Sequence, residues 1–310
     1  MPDPRRFLAT IGVFLAVLSL GAGPRAFAQQ AAAYTVIDAA GGHVLIASNA
    51  NRRLTIGSLT NIATAMVVLD WLDLRRHDIN EPVTIGPEAS IFPQNPIGFQ
   101  TGDQASIRDL LYAALMQSDD IAAYALAMHV GRDLPTTAAN ETPMQAFVAQ
   151  MNALARRLNM RNTLFVDSNG LQLNERRPPF STAADLALLT RYAMNRSQFR
   201  FYVSQRARQI TIDRLDTNPL EYTLANTNEL LDVDAIDGVK TGASRGAGPC
   251  VIISAPRPPE SVQQGNSYII TPRRIIVVVL GSPNRFDTAN ALLQSGWQAY
   301  EQWAAGGRRG

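Results

Sequence analysis

Lysine is almost absent from this sequence: 27 of its 28 basic residues are arginine, and Lys240 is the only lysine. A composition that avoids lysine but keeps one indicates a position where a compact ammonium group is needed rather than the broader guanidinium group of arginine. An accidental lysine on a strand is the alternative. Lys240 is therefore a candidate functional residue before any motif is considered.

Cysteine and histidine are also scarce. The single cysteine, Cys250, excludes an internal disulfide, and its apolar setting in PCVIISA predicts a small buried residue of a strand. The three histidines, His43, His77 and His129, are scattered and have no acid or other ligand at metal spacing. We interpret them as surface or loop residues and expect neither a metal ion nor a cofactor.

Long apolar runs are limited to the first 28 residues. There, Arg5 and Arg6 precede an apolar run from Phe7 to Leu20, and Ala-Phe-Ala follows, which is the pattern of a cleaved secretory signal peptide. A membrane anchor is the alternative, but a spanning helix needs about 20 apolar residues. We expect cleavage after residue 28 and a secreted, periplasmic or otherwise extracytoplasmic protein without a stable membrane anchor.

The formal net charge is zero once this segment is removed, because the remaining chain has 25 basic and 25 acidic residues. A neutral chain argues against nucleic acid as a partner and against electrostatic attachment to a membrane. The hydrophobic fraction of 46% over 310 residues is enough for one sizeable core or two linked lobes.

The apolar patterns predict an α/β fold. YTVIDAAGGHVLIAS reads as a β-hairpin, and strand patterns return in ARQITID, GPCVIISA and RRIIVVVLGS. Between the last two, PRPPESVQQGNSY is predicted to be an exposed, mobile loop. Helices are predicted from Ser58 to about Leu74 and at 106–116, 121–130, 143–158, from 182 onward and 287–303. We expect an antiparallel sheet flanked by helices, with an all-helical lobe inserted at about 90–195.

Three short stretches carry residues suited to chemistry. Ser58, in GSLTNIATAM, begins a helix whose first N–H groups favour negative charge, although a serine that only caps the helix is the commoner case. Ser118 and Asp120, in QSDDIAAYALA, precede another helix, and Lys240 opens Lys-Thr-Gly in DGVKTGASRGAG. In this order the three stretches resemble the motifs of penicillin-binding proteins and serine β-lactamases.

The wider sequence is similar to the low-molecular-mass penicillin-binding proteins that act as D-alanyl-D-alanine carboxypeptidases in peptidoglycan maturation. The similarity runs from about residue 33 to 303 and includes IDAAGGHVL, FVDSNGL, STAADLALLTRYAM and NTNELL. It implies a β-lactamase/transpeptidase-like fold, stem peptides ending in D-Ala-D-Ala as substrates and β-lactams as further ligands. We expect one such domain at 29–305, without the C-terminal β-domain of some members.

The first two motifs depart from the family pattern. The family Ser-x-x-Lys supplies a serine nucleophile and a lysine base; Ser58 matches the nucleophile, but Asn61 replaces the base and cannot ionise. In Ser-x-Asn, Ser118 matches the serine that relays protons. Asp120 replaces the asparagine amide that binds the substrate backbone, and a carboxylate can only accept hydrogen bonds. The catalytic positions implied by the resemblance are Ser58, Asn61 and Ser118.

The third motif matches the family in full. The resemblance places its lysine and threonine at the terminal carboxylate of the substrate. We expect Asp120 to pair with Lys240 and to have a lowered pKa beside that ammonium group, which makes it a poor base for Ser58. The substrate-binding residues implied by the resemblance are Asp120, Lys240, Thr241, Gly242 and Ser244.

Two functions agree with this pattern. In the first, the protein is a catalytically impaired family member that binds stem peptides, because Asn61 stands in place of the base. In the second, it is an active serine carboxypeptidase that uses Ser58 with a rewired base. A β-lactamase is a third and more distant alternative, since the middle of the chain resembles the carboxypeptidases and offers no evident deacylating glutamate.

Overall fold

The computed structural model describes residues 30–92, 95–136, 140–171, 178–215, 217–246 and 248–308, so the predicted signal segment lies outside the described residues. The strands are β1 Ala33–Asp38, β2 Val44–Ser48, β3 Pro82–Thr84, β4 Gln104–Ser106, β5 Ala207–Ile212, β6 Leu220–Ala225, β7 Val239–Ser244, β8 Gly248–Gln264 and β9 Ser267–Leu280. The helices are α1 Asn61–Arg75, α2 Ile107–Met116, α3 Asp120–Gly131, α4 Pro143–Arg157, α5 Ala183–Met194, α6 Ser197–Val203 and α7 Arg285–Ala305.

A five-stranded antiparallel sheet, in the order β2-β1-β9-β8-β7, lies at the centre. Its central strands are buried on both faces, which explains why RRIIVVVLGS is a continuous apolar run rather than an alternating one. Val251, Val277 and Val279 pack against α7, whereas Ile252 and Ile276 face the remaining helices. The predicted α/β architecture is confirmed.

The helices form two groups. Helices α2, α3 and α4 pack in sequence on one another and on α1, whereas α5 packs on β1 and β9. Their starts agree with the sequence because side chains cap them: Ser106 accepts from the Asp109 N–H at 3.0 Å, and Thr182 accepts from the Asp185 N–H at 3.0 Å. No helix of the described residues is long and apolar enough to span a bilayer.

The predicted loop PRPPESVQQGNSY is wrong: β8 and β9 run through it as a two-stranded ribbon that turns at Gly265. The register is continuous on both sides of a bulge between Arg257 and Glu260. Pro258 and Pro259 lie in that bulge, where no ladder hydrogen bond is required of them. The prolines therefore mark an interruption of the ladder rather than the end of the strands.

Cys250 lies in β8 and is fully buried, as predicted, and burial raises the pKa of its thiol to about 11. The prediction of surface or loop histidines holds for His77, which lies in the loop after α1, and is wrong for His129, a largely buried residue of α3; each contacts Glu81 at 3.3 Å. His77 also stacks on Trp71. Within the described ranges, no group of three or more His, Cys, Asp or Glu residues is arranged to hold a metal ion.

Candidate active site

The motif residues meet at one cleft of about 250 Å³ between β7, the start of α1 and the start of α3. Ser58 and Ser118 line it, with Asp120 and two residues of the Lys-Thr-Gly motif. Lys240 is only 1% exposed and contacts Ser118 from within the protein. The lining residues are Gly57, Ser58, Gln117, Ser118, Asp120, Asn169, Gly170, Leu171, Thr227, Thr241, Gly242, Ala243 and Arg285.

Ser58 lies in the 3₁₀ turn Gly57–Thr60, one turn before α1 begins at Asn61. The N-cap residue of α1 is Thr60, and no side chain caps either the 3₁₀ turn or the helix. The commoner role of a serine at a helix start, capping the first turn, is therefore not the role of Ser58. Its half-buried hydroxyl instead faces the cleft.

Two glycines allow this turn to lie against β7. Gly57 has φ +53°, and a Cβ atom there would lie 2.0 Å from the carbonyl oxygen of Ala243. A Cβ atom on Gly242 would lie 3.1 Å from the backbone nitrogen of Leu59. The glycine of Lys-Thr-Gly is thus required by the close approach of the strand to the turn that carries Ser58.

We predict that Gly57→Ala lowers the free energy of unfolding by about 2–5 kcal/mol, because it adds a backbone clash to an unfavourable left-handed conformation. Gly265→Ala is the matched control, since Gly265 has φ +62° with no atom within 4 Å of an added Cβ. The control should lose only about 1–2 kcal/mol. Chemical denaturation of both variants measures the difference, and equal losses would contradict the close packing of the turn on β7.

Asn61 is fully buried and does not present a proton acceptor of useful basicity. Its Nδ2 donates to the carbonyl oxygen of Ala114 in α2 at 2.9 Å, while its Oδ1 is buried without a hydrogen-bond partner. The amide therefore ties α1 to α2. An amide has no pKa near neutrality, so Asn61 cannot take the proton of Ser58.

The prediction that Asp120 pairs directly with Lys240 is wrong, because the ammonium group of Lys240 contacts other partners. The Nζ of Lys240 donates to the hydroxyl of Ser118 and, at 2.9 Å, to the carbonyl oxygen of Thr241. Burial lowers the pKa of Lys240 to about 7, Asp120 opposes that shift, and Arg285 adds to it. Close to neutral pH, a substantial fraction of Lys240 is a neutral amine within reach of a hydroxyl group.

The expected lowering of the Asp120 pKa is also wrong. Asp120 is the first residue of α3 and only 2% exposed; burial, and to a lesser extent the charge of Asp119, raises its pKa to about 7. Lys240 lowers this pKa, but by less than burial raises it. Asp119, the N-cap of α3, is buried as well, which raises its pKa to about 6. The second motif therefore carries carboxyl groups that hold protons at unusually high pH.

Further cleft residues had not been assigned roles from the sequence. The Thr241 hydroxyl hydrogen-bonds to that of Thr227 at 2.6 Å, and Thr227 donates to the carbonyl oxygen of Met116 at 3.0 Å. Thr227 lies in NTNELL, one of the segments that resemble the family, so the sequence contained a pattern that could have identified this residue. Arg285 has no such motif; its Nη1 donates to the carbonyl oxygen of Gly242 at 3.2 Å.

A loop after α4 completes the wall of the cleft. The Nδ2 of Asn169 donates to the carbonyl oxygen of Asp120 at 3.4 Å, and a Cβ atom on Gly170 would lie 2.1 Å from the carbonyl oxygen of Gly57. This loop therefore joins the starts of α1 and α3. Ser244 ends β7 and pairs with Gly248, and its side chain lies outside the described part of the chain.

Comparison with known sequences agrees with this geometry. Residues 22–264 match the profile of the D-alanyl-D-alanine carboxypeptidase family, peptidase family S11. D-alanyl-D-alanine carboxypeptidase DacC of Escherichia coli is 30% identical over 296 residues, which cover 90% of this chain and 66% of that protein. The D-alanyl-D-alanine carboxypeptidase of Streptomyces sp. strain K15 is 31% identical over 270 residues, covering 82% and 88%. The chain thus spans about two thirds of the length of the first relative and most of the second.

Solved structures show the same fold. The crystal structure of the Streptomyces K15 DD-transpeptidase superposes with a TM-score of 0.73 at 27% identity, covering 87% of this chain and 97% of that one. Penicillin-binding protein D2 of Listeria monocytogenes, in its ampicillin-bound form, gives a TM-score of 0.65 at 26% identity, covering 86% and 97%. The chain therefore has the transpeptidase-like α/β fold and belongs to the D-alanyl-D-alanine carboxypeptidase family, the low-molecular-mass penicillin-binding proteins.

Proposed function

We propose that this protein binds peptidoglycan stem peptides ending in D-Ala-D-Ala and turns them over slowly or not at all. The observation that carries the proposal is the buried amide of Asn61, which donates to Ala114 at the position of the family base. General-base assistance is worth about 10²–10⁴ in rate, so its loss leaves Ser58 a weak nucleophile. We further propose that β-lactams occupy the same cleft.

The cleft offers matched partners for a peptide terminus. Thr241 and Arg285 line the cleft with a hydroxyl and a guanidinium group, and Lys240, buried behind Ser118, adds positive charge when it is protonated, which suits the terminal carboxylate. Asp120 lies at the second motif, where the family uses an amide donor. When protonated, its carboxyl group regains one donor hydrogen and can serve the peptide carbonyl.

We place this function outside the cytoplasm, in a mature chain from residue 29 to about 305 after removal of the signal segment. Formal neutrality of that chain supports a peptide ligand over nucleic acid. From the region between about 90 and 195, residues 117, 118 and 120 and the loop at 169–171 line one side of the proposed peptide site. No metal or cofactor is part of the proposal.

Intact-mass spectrometry after incubation with benzylpenicillin tests the missing base. We expect no covalent adduct within the minutes that suffice for an active family member, while a fluorescent peptide ending in D-Ala-D-Ala still binds. The Ser58→Ala variant is the control, since it should bind the peptide equally well. Rapid formation of an adduct that Ser58→Ala abolishes would overturn the proposal.

A second candidate, the active carboxypeptidase with a rewired base, is favoured by the contact of Lys240 with Ser118. A neutral Lys240 amine can accept a proton through the Ser118 hydroxyl, and the lowered pKa of Lys240 makes that form abundant near neutral pH. This candidate requires an adduct on Ser58 that disappears in Lys240→Arg and in Ser118→Ala. Arginine keeps the positive charge but cannot serve as a base.

A further inference from the structure

The ribbon formed by β8 and β9 projects beyond the central sheet and carries an exposed apolar tip. Val262, Tyr268, Ile269 and Ile270 are 63%, 64%, 51% and 63% exposed. From Ser261 to Thr271 the sequence contains no charged residue. Single exposed apolar side chains are ordinary on protein surfaces. Four of them within one uncharged stretch of eleven residues indicate a binding surface.

The apolar side chains lie on both faces of this ribbon. Val262 pairs with Ile269, so these two share one face. Ile270 pairs with Ser261 and Tyr268 with Gln263, which places Tyr268 and Ile270 on the opposite face. A docked protein domain covers one face of a two-stranded ribbon. An apolar medium that surrounds the tip covers both.

At its base, the ribbon has edges that are poorly suited to the addition of a strand from another chain. The backbone N–H groups that donate hydrogen bonds are missing at Pro256, Pro258 and Pro259 of β8 and at Pro272 of β9. Proline on an edge strand blocks pairing with a further strand, because it has no N–H to donate. Only the four residues of each tip strand, 261–264 and 267–270, remain free of proline. A second copy of this chain joined edge to edge would form a short ladder there, so it is a weaker candidate than a lipid surface.

The base of the ribbon is fixed and bears arginines. The guanidinium group of Arg257 lies 4.2 Å from the ring centroid of Trp297 in α7, and its Nη1 contacts Glu301 at 3.1 Å. Arg273 stacks near Trp297 and Tyr300 from the other strand. The tip is thus held out from the domain. The arginines at its base are paired with Glu260 and Glu301, so the uncharged apolar tip, and not the base, is the part suited to a lipid surface.

We propose that the ribbon tip from Ser261 to Ile270 inserts into the interfacial region of a lipid bilayer and gives the protein a reversible contact with the membrane. The four residues of each strand above Glu260 extend roughly 13 Å at about 3.3 Å per residue. That length reaches the headgroup and upper acyl region, where Tyr268 has its preferred position and the edge N–H groups stay hydrated. The contact differs from a stable anchor, which needs a larger apolar area.

Vesicle flotation of the mature full-length chain tests this proposal. We expect co-flotation with phosphatidylcholine vesicles containing phosphatidylglycerol, and at least about tenfold lower partitioning for Ile269→Ser/Ile270→Ser. Leu74→Ser/Phe201→Ser is the matched control, because these side chains are 82% and 56% exposed but lie elsewhere. The control variant should partition like the natural protein, and both should bind the stem peptide unchanged.

Site-specific labelling gives a second measurement. Cys250 is buried and has a raised thiol pKa, so an introduced Ile269→Cys can be labelled selectively with an environment-sensitive dye. Vesicles should shift the emission of this dye to shorter wavelength and leave a dye at Leu74→Cys unchanged. Equal partitioning of the tip variant, absence of partitioning, or a dimer that Ile269→Ser/Ile270→Ser dissociates would each overturn the proposal.

Discussion

Asn61→Lys combined with Asp120→Asn is expected to raise the rate at which benzylpenicillin acylates Ser58 by about 10²–10⁴-fold. The lysine supplies an ionisable amine one turn after the nucleophile, where the amide of Asn61 now donates a hydrogen bond to the carbonyl oxygen of Ala114. The asparagine removes a carboxyl group from the same cleft. Stopped-flow or quenched-flow acylation followed by intact-mass spectrometry gives the rate.

The two substitutions should act together rather than additively. With Asp120 retained, its carboxylate would stabilise the new ammonium group and keep it protonated, so Asn61→Lys alone should recover only a small part of the rate. Asn61→Met/Asp120→Asn is the matched control, since methionine has similar length without the amine. A double variant that folds, binds the peptide and remains inert would show that the missing base does not explain the proposed impairment.

Much of this fold was readable from the sequence because helix caps and apolar periods are local signals. The starts of α2 and α5, for example, are determined by Ser106 and Thr182, whose side chains cap the first turn. The ribbon was missed because its prolines, which normally exclude a strand, lie at a bulge and along free edges. The pairing itself is local, because Gln264 pairs with Ser267 across Gly265 and Asn266, and this Gly-Asn pair is the hairpin signal that the prolines outweighed.

The residues of the candidate site also fall into those that the sequence predicted and those that it missed. Ser58, Ser118 and Lys240 were found because short motifs carry them, and the structure brings them to one cleft. The pKa of Asp120 was misjudged because the sequence shows its charged neighbours but not its burial, and burial has the larger effect. Arg285 was missed because it is the first residue of α7 and reaches the cleft through a hydrogen bond to the backbone of Gly242, far from any motif.

Binding of a stem peptide is expected to weaken as the pH rises through about 7. Burial raises the pKa of Asp120 to about 7 and lowers that of Lys240 to about 7. Below that pH, Asp120 is neutral and can donate a hydrogen bond, and Lys240 is a cation; above it, Asp120 gains negative charge and Lys240 loses its positive charge. The peptide carboxylate stays ionised throughout, so both changes oppose its binding.

We expect the dissociation constant to rise by about 10–100-fold between pH 6 and pH 8, since each proton linked to binding changes affinity by up to about tenfold per pH unit. Fluorescence anisotropy with a labelled D-Ala-D-Ala peptide measures it. Asp120→Asn should bind more tightly at pH 8 and keep only the dependence on Lys240, whereas Asp133→Asn, at an exposed carboxylate outside the cleft, should leave the profile unchanged. A flat profile for the natural protein would mean that neither group changes its charge in the bound complex.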